Sequence, residues 1–457
     1  MVKNIKNFLY GATMLTAMAM TPFASVSAEE ITLREAVQFG LYNNPEYGVV
    51  ANTRMATEKE LGQARGLFRP SLDLSGDAGV EYTDDPNTRA GVDPDDTETL
   101  GRYQIGITLT QLLFDGFNSQ SEVERQQARV RSSAHRVNET AEFVGLDVVE
   151  AYLEVMRQRE LLDIARDNIA VHLDIARQTQ DQVYAGKATD ADLAQIEARL
   201  ARARATEAQV QQALRNAESL YKLETGEMPE DLILGPVPLS TIPLDVNDAV
   251  RKAVVDGPTL KIFESDMDVA AAERKQAESS FYPEFNIQLD ALNSDNIGGV
   301  EGYENSARAL VTMNWNLYRG GIDTQRNKEF VYRETVAKEQ RADAARAIED
   351  DVRQTWAAMI SEGDQARQFA QQAVANARVV QSYRDQFELG RRTLLDVLDA
   401  QNEDFVTRSN TINSEYLEML AMYRLLALQG DLLASLDVTT PREASLAELS
   451  DNQQTGL

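Results

Sequence analysis

The 457-residue sequence contains no cysteine, only two histidines and two tryptophans, and 7% aromatic residues. Without cysteine the chain can form neither a disulfide nor a thiolate metal site. His135 and His172 lie in helical patterns with no partner at metal-ligand spacing, so we expect both to be surface helix residues. Phosphate-binding loops and serine-nucleophile motifs are also missing from the sequence. The sequence therefore predicts no metal, no cofactor and no enzymatic activity.

Long apolar runs are scarce as well, since the only one is Phe8–Ala28, behind Lys3 and Lys6. A basic start, an apolar middle and the small residues Val26-Ser27-Ala28 are typical of a secretory signal peptide, so we predict that residues 1–28 are removed. No later stretch is apolar enough to cross a membrane as a helix. A chain with a net charge of -28 repels nucleic acid and anionic lipid, so we predict no nucleic-acid partner.

Four short segments instead alternate apolar and polar residues with the period of two that indicates β-strands. The segments are Ser71–Tyr82, Tyr103–Phe114, Glu284–Ala291 and Ala307–Leu317. Segments of about ten residues with one apolar face and aromatic ends are what a transmembrane β-barrel requires. Four strands cannot close a barrel, so the missing strands must come from other copies of the chain. The alternative is two soluble hairpins that pack their apolar faces against helices.

An internal repeat covers nearly the whole chain after the signal peptide. Leu33–Val37 resembles Val246–Val250, and Phe68-Arg-Pro70 resembles Phe281-Tyr-Pro283. Gly186 and Gly390 follow in equivalent places, where long helical patterns end. Matches that occur in the same order along both halves predict that the chain is internally duplicated.

Each half is predicted to contain a helix, a β-hairpin, a helix of some 70 residues, a reversal and a shorter helix. We place the first repeat at residues 29–222, with its hairpin near 70–114 and its tip near 186. A proline-rich linker follows at residues 223–245. The second repeat covers residues 246–436, with its hairpin near 283–318 and its tip near 390, and the acidic tail 437–457 is expected to be disordered.

This order of motifs resembles the TolC family of outer-membrane channels over about residues 29–436. The resemblance rests on Arg69–Leu72 entering a strand, Leu112–Gly116 leaving one, and Phe387–Ala400 at a helical reversal. It implies a mixed α/β membrane protein, a homotrimer whose 12-stranded β-barrel in outer-membrane lipid continues as a long periplasmic coiled-coil barrel. Such a protein is the passive exit duct of a type I secretion or multidrug efflux system, joined by a periplasmic adaptor to an ABC or proton-driven inner-membrane transporter.

The resemblance also implies a gate near the helical tips. It places Asp396 and Asp399 in a ring around the periplasmic mouth, where they favour cations and crowding raises some of their pKa values. Arg392 would pair with Asp192 to hold the resting mouth closed. The adaptor would contact the tips themselves, at Gly186, Lys187, Gly390 and Arg391.

Two departures from the family pattern lie close to this gate. Phe387 stands where a tyrosine is common and cannot donate a hydroxyl hydrogen bond, and Lys187 and Asp190 add charges of both signs to the first tip. The pairing within the gate therefore stays open. From the sequence we also keep a rival from another class, a soluble periplasmic coiled-coil adaptor or scaffold. Either cargo, small amphiphilic compounds or an unfolded polypeptide, is compatible with the duct.

Overall fold

The computed structural model describes residues 30–84, 86 and 98–447. The predicted signal peptide, most of the loop after the first long strand and residues 448–457 lie outside the described residues. The helices are α1 (Leu33–Asn43), α2 (Pro45–Gly66), α3 (Asn118–Tyr184), α4 (Asp190–Thr225), α5 (Val246–Asp256), α6 (Pro258–Glu278), α7 (Ile322–Glu388), α8 (Leu394–Gln429) and α9 (Leu432–Ser435). The strands are β1 (Ile31–Thr32), β2 (Ser71–Thr83), β3 (Glu98–Phe114), β4 (Leu232–Ile233), β5 (Glu284–Asp295) and β6 (Tyr303–Asn314).

The same series of elements occurs twice along the chain. Two helices separated at a proline lead into a β-hairpin, which leads into a 67-residue helix and then a 36-residue helix that runs back. At 1.5 Å per residue, α3 and α7 are each roughly 100 Å long. Pro45 and Pro258 occupy the first positions of α2 and α6, where the missing amide hydrogen has no cost.

The main core lies against the middle of α3. The stripe Val144, Val148, Tyr152 and Val155 is fully or almost fully buried there, together with residues of α1, α8 and α9. The Tyr152 hydroxyl lies 2.9 Å from the carbonyl oxygen of Ile31 and 2.6 Å from that of Ile233. It therefore ties the small parallel β1–β4 sheet to the long helix.

The four long strands form one antiparallel sheet in the order β2-β3-β5-β6. Its register aligns apolar side chains across all four strands, as in the row Leu74, Ile107, Ala291 and Ala307. This apolar face is open to the surroundings, with Leu74 71% and Val311 69% exposed. The apolar face therefore does not pack against the helices, which contradicts the soluble-hairpin alternative. Within the described part of the chain, no helix is both long and apolar enough for a membrane crossing.

The end of the described chain differs from the predicted disordered tail. The helix after the second tip ends at Gln429, because Gly430 takes a left-handed backbone (φ 77°), and the short α9 follows. Beyond α9, residues 438–447 form what we call the C-terminal strap. Val438 is buried in the main core, and the Glu443 carboxylate accepts a 2.9 Å hydrogen bond from the Tyr47 hydroxyl. These contacts hold the strap against α2 and the main core.

Candidate functional site

The two helical tips have the same backbone geometry. Gly186 and Gly390 both take left-handed φ values, 70° and 69°. In each tip the residue after the glycine donates its amide to the carbonyl five residues earlier, Lys187 to Gln182 and Arg391 to Gln386, both at 2.8 Å. These bonds cap the exposed carbonyls at the ends of α3 and α7. Lys187 and Arg391 are exposed, and a side chain at either glycine would meet nothing within 4 Å among the described residues.

The predicted gate aspartates Asp192 and Asp396 lie in the first turns of the helices that follow the tips. Thr189 and Thr393 are the N-caps of α4 and α8, and each threonine donates its hydroxyl to the aspartate three residues later at 2.8 Å. Hydrogen bonds from the backbone amide and hydroxyl of the threonine hold the pKa of each aspartate below its usual range. Within one chain this is opposite to the rise expected from a crowded ring, because capping stabilises the ionised form.

Arg392 contacts residues other than the predicted Asp192. Its guanidinium carbon lies 4.0 Å from the ring centre of Tyr383, and its Nε donates to the Gln386 side chain at 3.2 Å. An Nη atom lies 3.8 Å from the carboxylate of Asp396, a loose ion pair. Among the described residues of one chain, Asp192 and Arg392 form no ion pair, and a pair between chains stays a prediction.

Asp399 connects the two tip hairpins. Its carboxylate accepts a 3.0 Å hydrogen bond from Arg199, which projects from α4, although Asp399 itself remains 59% exposed. Neither Arg199 nor Tyr383 was among the residues predicted for the gate. Arg199 meets Asp399 only because the two hairpins pack together, and Tyr383 meets Arg392 because the chain reverses at Gly390.

Below these polar contacts a small apolar cluster joins the hairpins at the tips. It comprises Ile175 and Ile196 of the first half with Leu394, Val397 and Leu398 of the second. Phe387, the departure from the family pattern, packs against this cluster and is only partly buried. The ring at this position thus supports the tip by apolar contact.

The prediction that both histidines lie on the surface is wrong for His172. His172 is 4% exposed because it shares the packed face of α3 with Ile175 and Thr179. Its Nδ1 lies 2.8 Å from the carbonyl oxygen of Asn168, and burial lowers its pKa. No group of residues that could hold a metal ion occurs in the described ranges.

The fold matches solved structures of membrane channels. A membrane protein from Pseudomonas aeruginosa superposes with a TM-score of 0.77 at 17% identity, over 87% of this chain and 90% of that chain. Other matching structures are described as outer-membrane channels. The architecture therefore defines the class, an outer-membrane channel fold.

The particular family follows from the sequence comparisons. The family model described as outer membrane efflux protein matches residues 37–223 and, separately, residues 249–431. The chain belongs to the outer membrane efflux protein family, whose members are channels rather than enzymes.

Two curated relatives illustrate this membership. The outer membrane efflux protein BepC of Brucella suis is 25% identical over 94% of this chain and 92% of its own length. The outer membrane protein TolC of Salmonella enteritidis is 23% identical over 89% of this chain and 83% of its own. The predicted resemblance to the TolC family and the predicted outer-membrane location are confirmed.

Proposed function

We propose that this protein is the trimeric outer-membrane exit duct of a tripartite export system. The observation that carries the proposal is the open four-stranded sheet, whose apolar face is exposed and whose outer strands, β2 and β6, each have one strand neighbour among the described residues. In lipid an unpaired strand edge leaves backbone groups without hydrogen bonds, so the edges must pair with other copies. Three copies of four strands close a 12-stranded barrel, an even number that suits an antiparallel sheet.

The long helices support the same assembly. α7 leaves apolar side chains exposed along much of its length, among them Val331, Tyr332, Val336, Ile360 and Val374. α3, in the equivalent place of the first half, buries many more. Neighbouring copies in a ring of helices would cover the exposed residues of α7, and the ring would extend the barrel across the periplasm as a tube. The repeated element order and the two family matches support an internal duplication behind this architecture.

The tips are the proposed contact with a periplasmic adaptor, which links the duct to an inner-membrane transporter. Gly186, Lys187, Gly390 and Arg391 are exposed at the far end of the helices from the sheet, with open space around the glycines. Asp192, Arg392, Asp396 and Asp399 lie directly behind them and are the proposed gate. The names of the relatives support both kinds of cargo, since BepC is named an efflux protein and AprF of Pseudomonas aeruginosa an alkaline protease secretion protein. The soluble adaptor considered above is not the family to which the chain belongs.

The barrel is tested with two neighbouring arginine substitutions on opposite faces of β6. Val311→Arg places a charge on the apolar face, where it costs about 2–4 kcal/mol at the middle of a bilayer. Thr312→Arg places the same charge on the polar face as the matched control. We expect Val311→Arg to reduce the trimer recovered from outer membranes, measured by native mass spectrometry, and Thr312→Arg to assemble normally. Equal assembly of both variants would contradict a lipid-facing sheet.

Conductance tests the duct itself. The purified protein should insert into a planar bilayer and give a small, cation-preferring conductance, because Asp396 and Asp399 carry negative charge near the narrow end. A protein that never inserts would overturn the proposal. The kind of cargo is determined in a strain that lacks the gene for this protein. Sensitivity of that strain to amphiphilic compounds indicates efflux, and loss of a secreted polypeptide indicates secretion.

A further inference from the structure

The polar face of the long sheet is strongly acidic. Among its described side chains the register places two arginines, Arg102 and Arg308, with six carboxylates, Asp73, Asp77, Glu81, Glu284, Asp290 and Glu304. Arg102 was not predicted to lie on a strand, because the second strand was predicted to begin at Tyr103, whereas β3 begins at Glu98. The distribution of charge on this face therefore depends on how these two arginines are held.

Arg102 is held by two carboxylates of the neighbouring strand. One Nη atom donates to Asp77 at 2.8 Å and the other donates to Glu81 at 3.0 Å. A third, longer contact reaches the Gln104 side chain at 3.4 Å. Arg102 stands opposite Gly79, so Asp77 and Glu81 are its two diagonal neighbours across β2 and β3. The Arg102 side chain is 28% exposed, and its two ion pairs hold the guanidinium against the sheet.

Arg102 lies in the half of the sheet that is remote from the helices. β2 leaves the helical part at Ser71 and ends at Thr83, and Arg102 pairs with Gly79 near that end. In the proposed barrel the polar face lines the lumen, so three copies of Arg102 would form a ring in its outer half. The inference thus rests on the proposed function.

We propose that Arg102 is a selectivity-determining residue of the outer half of the pore. With arginine present, each chain contributes one net negative charge from the group Asp77, Glu81 and Arg102, and without it two. A ring of like charges inside a pore with low-dielectric walls concentrates the opposite ion. Arg102 therefore limits the cation preference that the acidic lumen would otherwise have. It acts at the opposite end of the proposed pore from the tip aspartates.

The test is the reversal potential of single trimers under a KCl gradient, with Arg102→Gln as the variant and Arg102→Lys as the charge-preserving control. Arg102→Gln should move the reversal potential towards the potassium equilibrium value, and Arg102→Lys should stay near the wild type. The shift should be larger at 0.1 M than at 1 M salt, because the Debye length falls from about 10 Å to about 3 Å. A wild-type reversal potential in Arg102→Gln, or an equal shift in Arg102→Lys, would overturn the proposal.

A second variant should shift the reversal potential in the opposite direction. Asp77→Asn with Glu81→Gln keeps the arginine and removes its partners, so the reversal potential should move towards the chloride value. This variant remains informative if Arg102→Gln does not assemble, and a shift towards potassium in it would also refute the role of Arg102. Failure of the wild type to conduct would instead refute the duct. A conducting wild type with insensitive variants refutes only the inference about Arg102.

Discussion

Glu142 of α3 ties the C-terminal helix α9 to the main core, and its protonation should make stability depend on pH. The side chain is 3% exposed, and its Oε2 accepts hydrogen bonds from the backbone amides of Leu432 at 2.9 Å and Leu433 at 3.3 Å. Burial raises its pKa from 4.5 to about 8, although the two amides act in the opposite direction, and the nearby Asp431 adds to the rise. Desolvation of the carboxylate therefore outweighs its hydrogen bonds.

The sign of the effect follows from linkage. Because the folded state binds the proton more tightly than the unfolded state, the contribution of Glu142 to stability is full below the unfolded pKa of 4.5. It is lost as the pH rises through about 8. Between pH 6 and pH 8 the loss is about 2 kcal/mol, or roughly 30-fold in the ratio of folded to unfolded protein.

Glu142→Gln removes the titration and keeps an oxygen that can accept from α9. Unfolding of the purified protein in detergent, followed at pH 6, 7 and 8, should show a clear loss of stability with pH in the wild type and a smaller loss in the variant. Glu139→Gln makes the same change one turn earlier, at a partly exposed position, and should keep the wild-type slope. Burial also raises the pKa of Asp147, to about 6, but this residue is present in all three proteins and so does not affect their comparison. Identical slopes for Glu142→Gln and the wild type would refute the reasoning.

Three further changes probe the tips and the C-terminal strap. Gly186→Ala forces alanine into a left-handed backbone and should lower the free energy of unfolding by about 1 kcal/mol per chain. The control Gly62→Ala, in the open middle of α2, should raise it by a few tenths of a kcal/mol. Equal effects of the two variants would contradict the left-handed cap. Asp396→Asn combined with Asp399→Asn should lower the cation preference of the conductance. An unchanged reversal potential would show that the two aspartates do not line the pore mouth. Ending the chain at Asp437 removes the strap and should lower the melting temperature and speed limited proteolysis of α2; unchanged digestion would show that the strap does not hold α2.

Much of the fold could be predicted from local patterns. The glycine tips at Gly186 and Gly390 and the alternating strands lie within a few residues of their predicted places. Such features are local, since a left-handed glycine or a period of two acts on its own neighbours. The missed start of β3, and Arg102 with it, lies where glycine interrupts the alternation.

The contacts behind the site could not be predicted, because they join residues remote in sequence. Arg199 reaches Asp399 across 200 positions, and Glu443 reaches Tyr47 across 396. Arg392 lies against Tyr383 rather than Asp192 because the reversal at Gly390 returns α8 along α7. Side chains of this kind carry no periodic signal, so nothing in the local pattern distinguishes them from solvated residues.

By itself the sequence determined the family, the two helical hairpins and the amphipathic strands, because each depends on residue types at short, regular spacing. Only the tertiary structure decided which charges meet, that His172 is buried, and that burial beneath α9 raises the pKa of Glu142. It also decided that the strap closes over α2 instead of remaining disordered. The physical reason is that burial and ion pairing depend on distance in space, which the chain sets only after its long helices have packed.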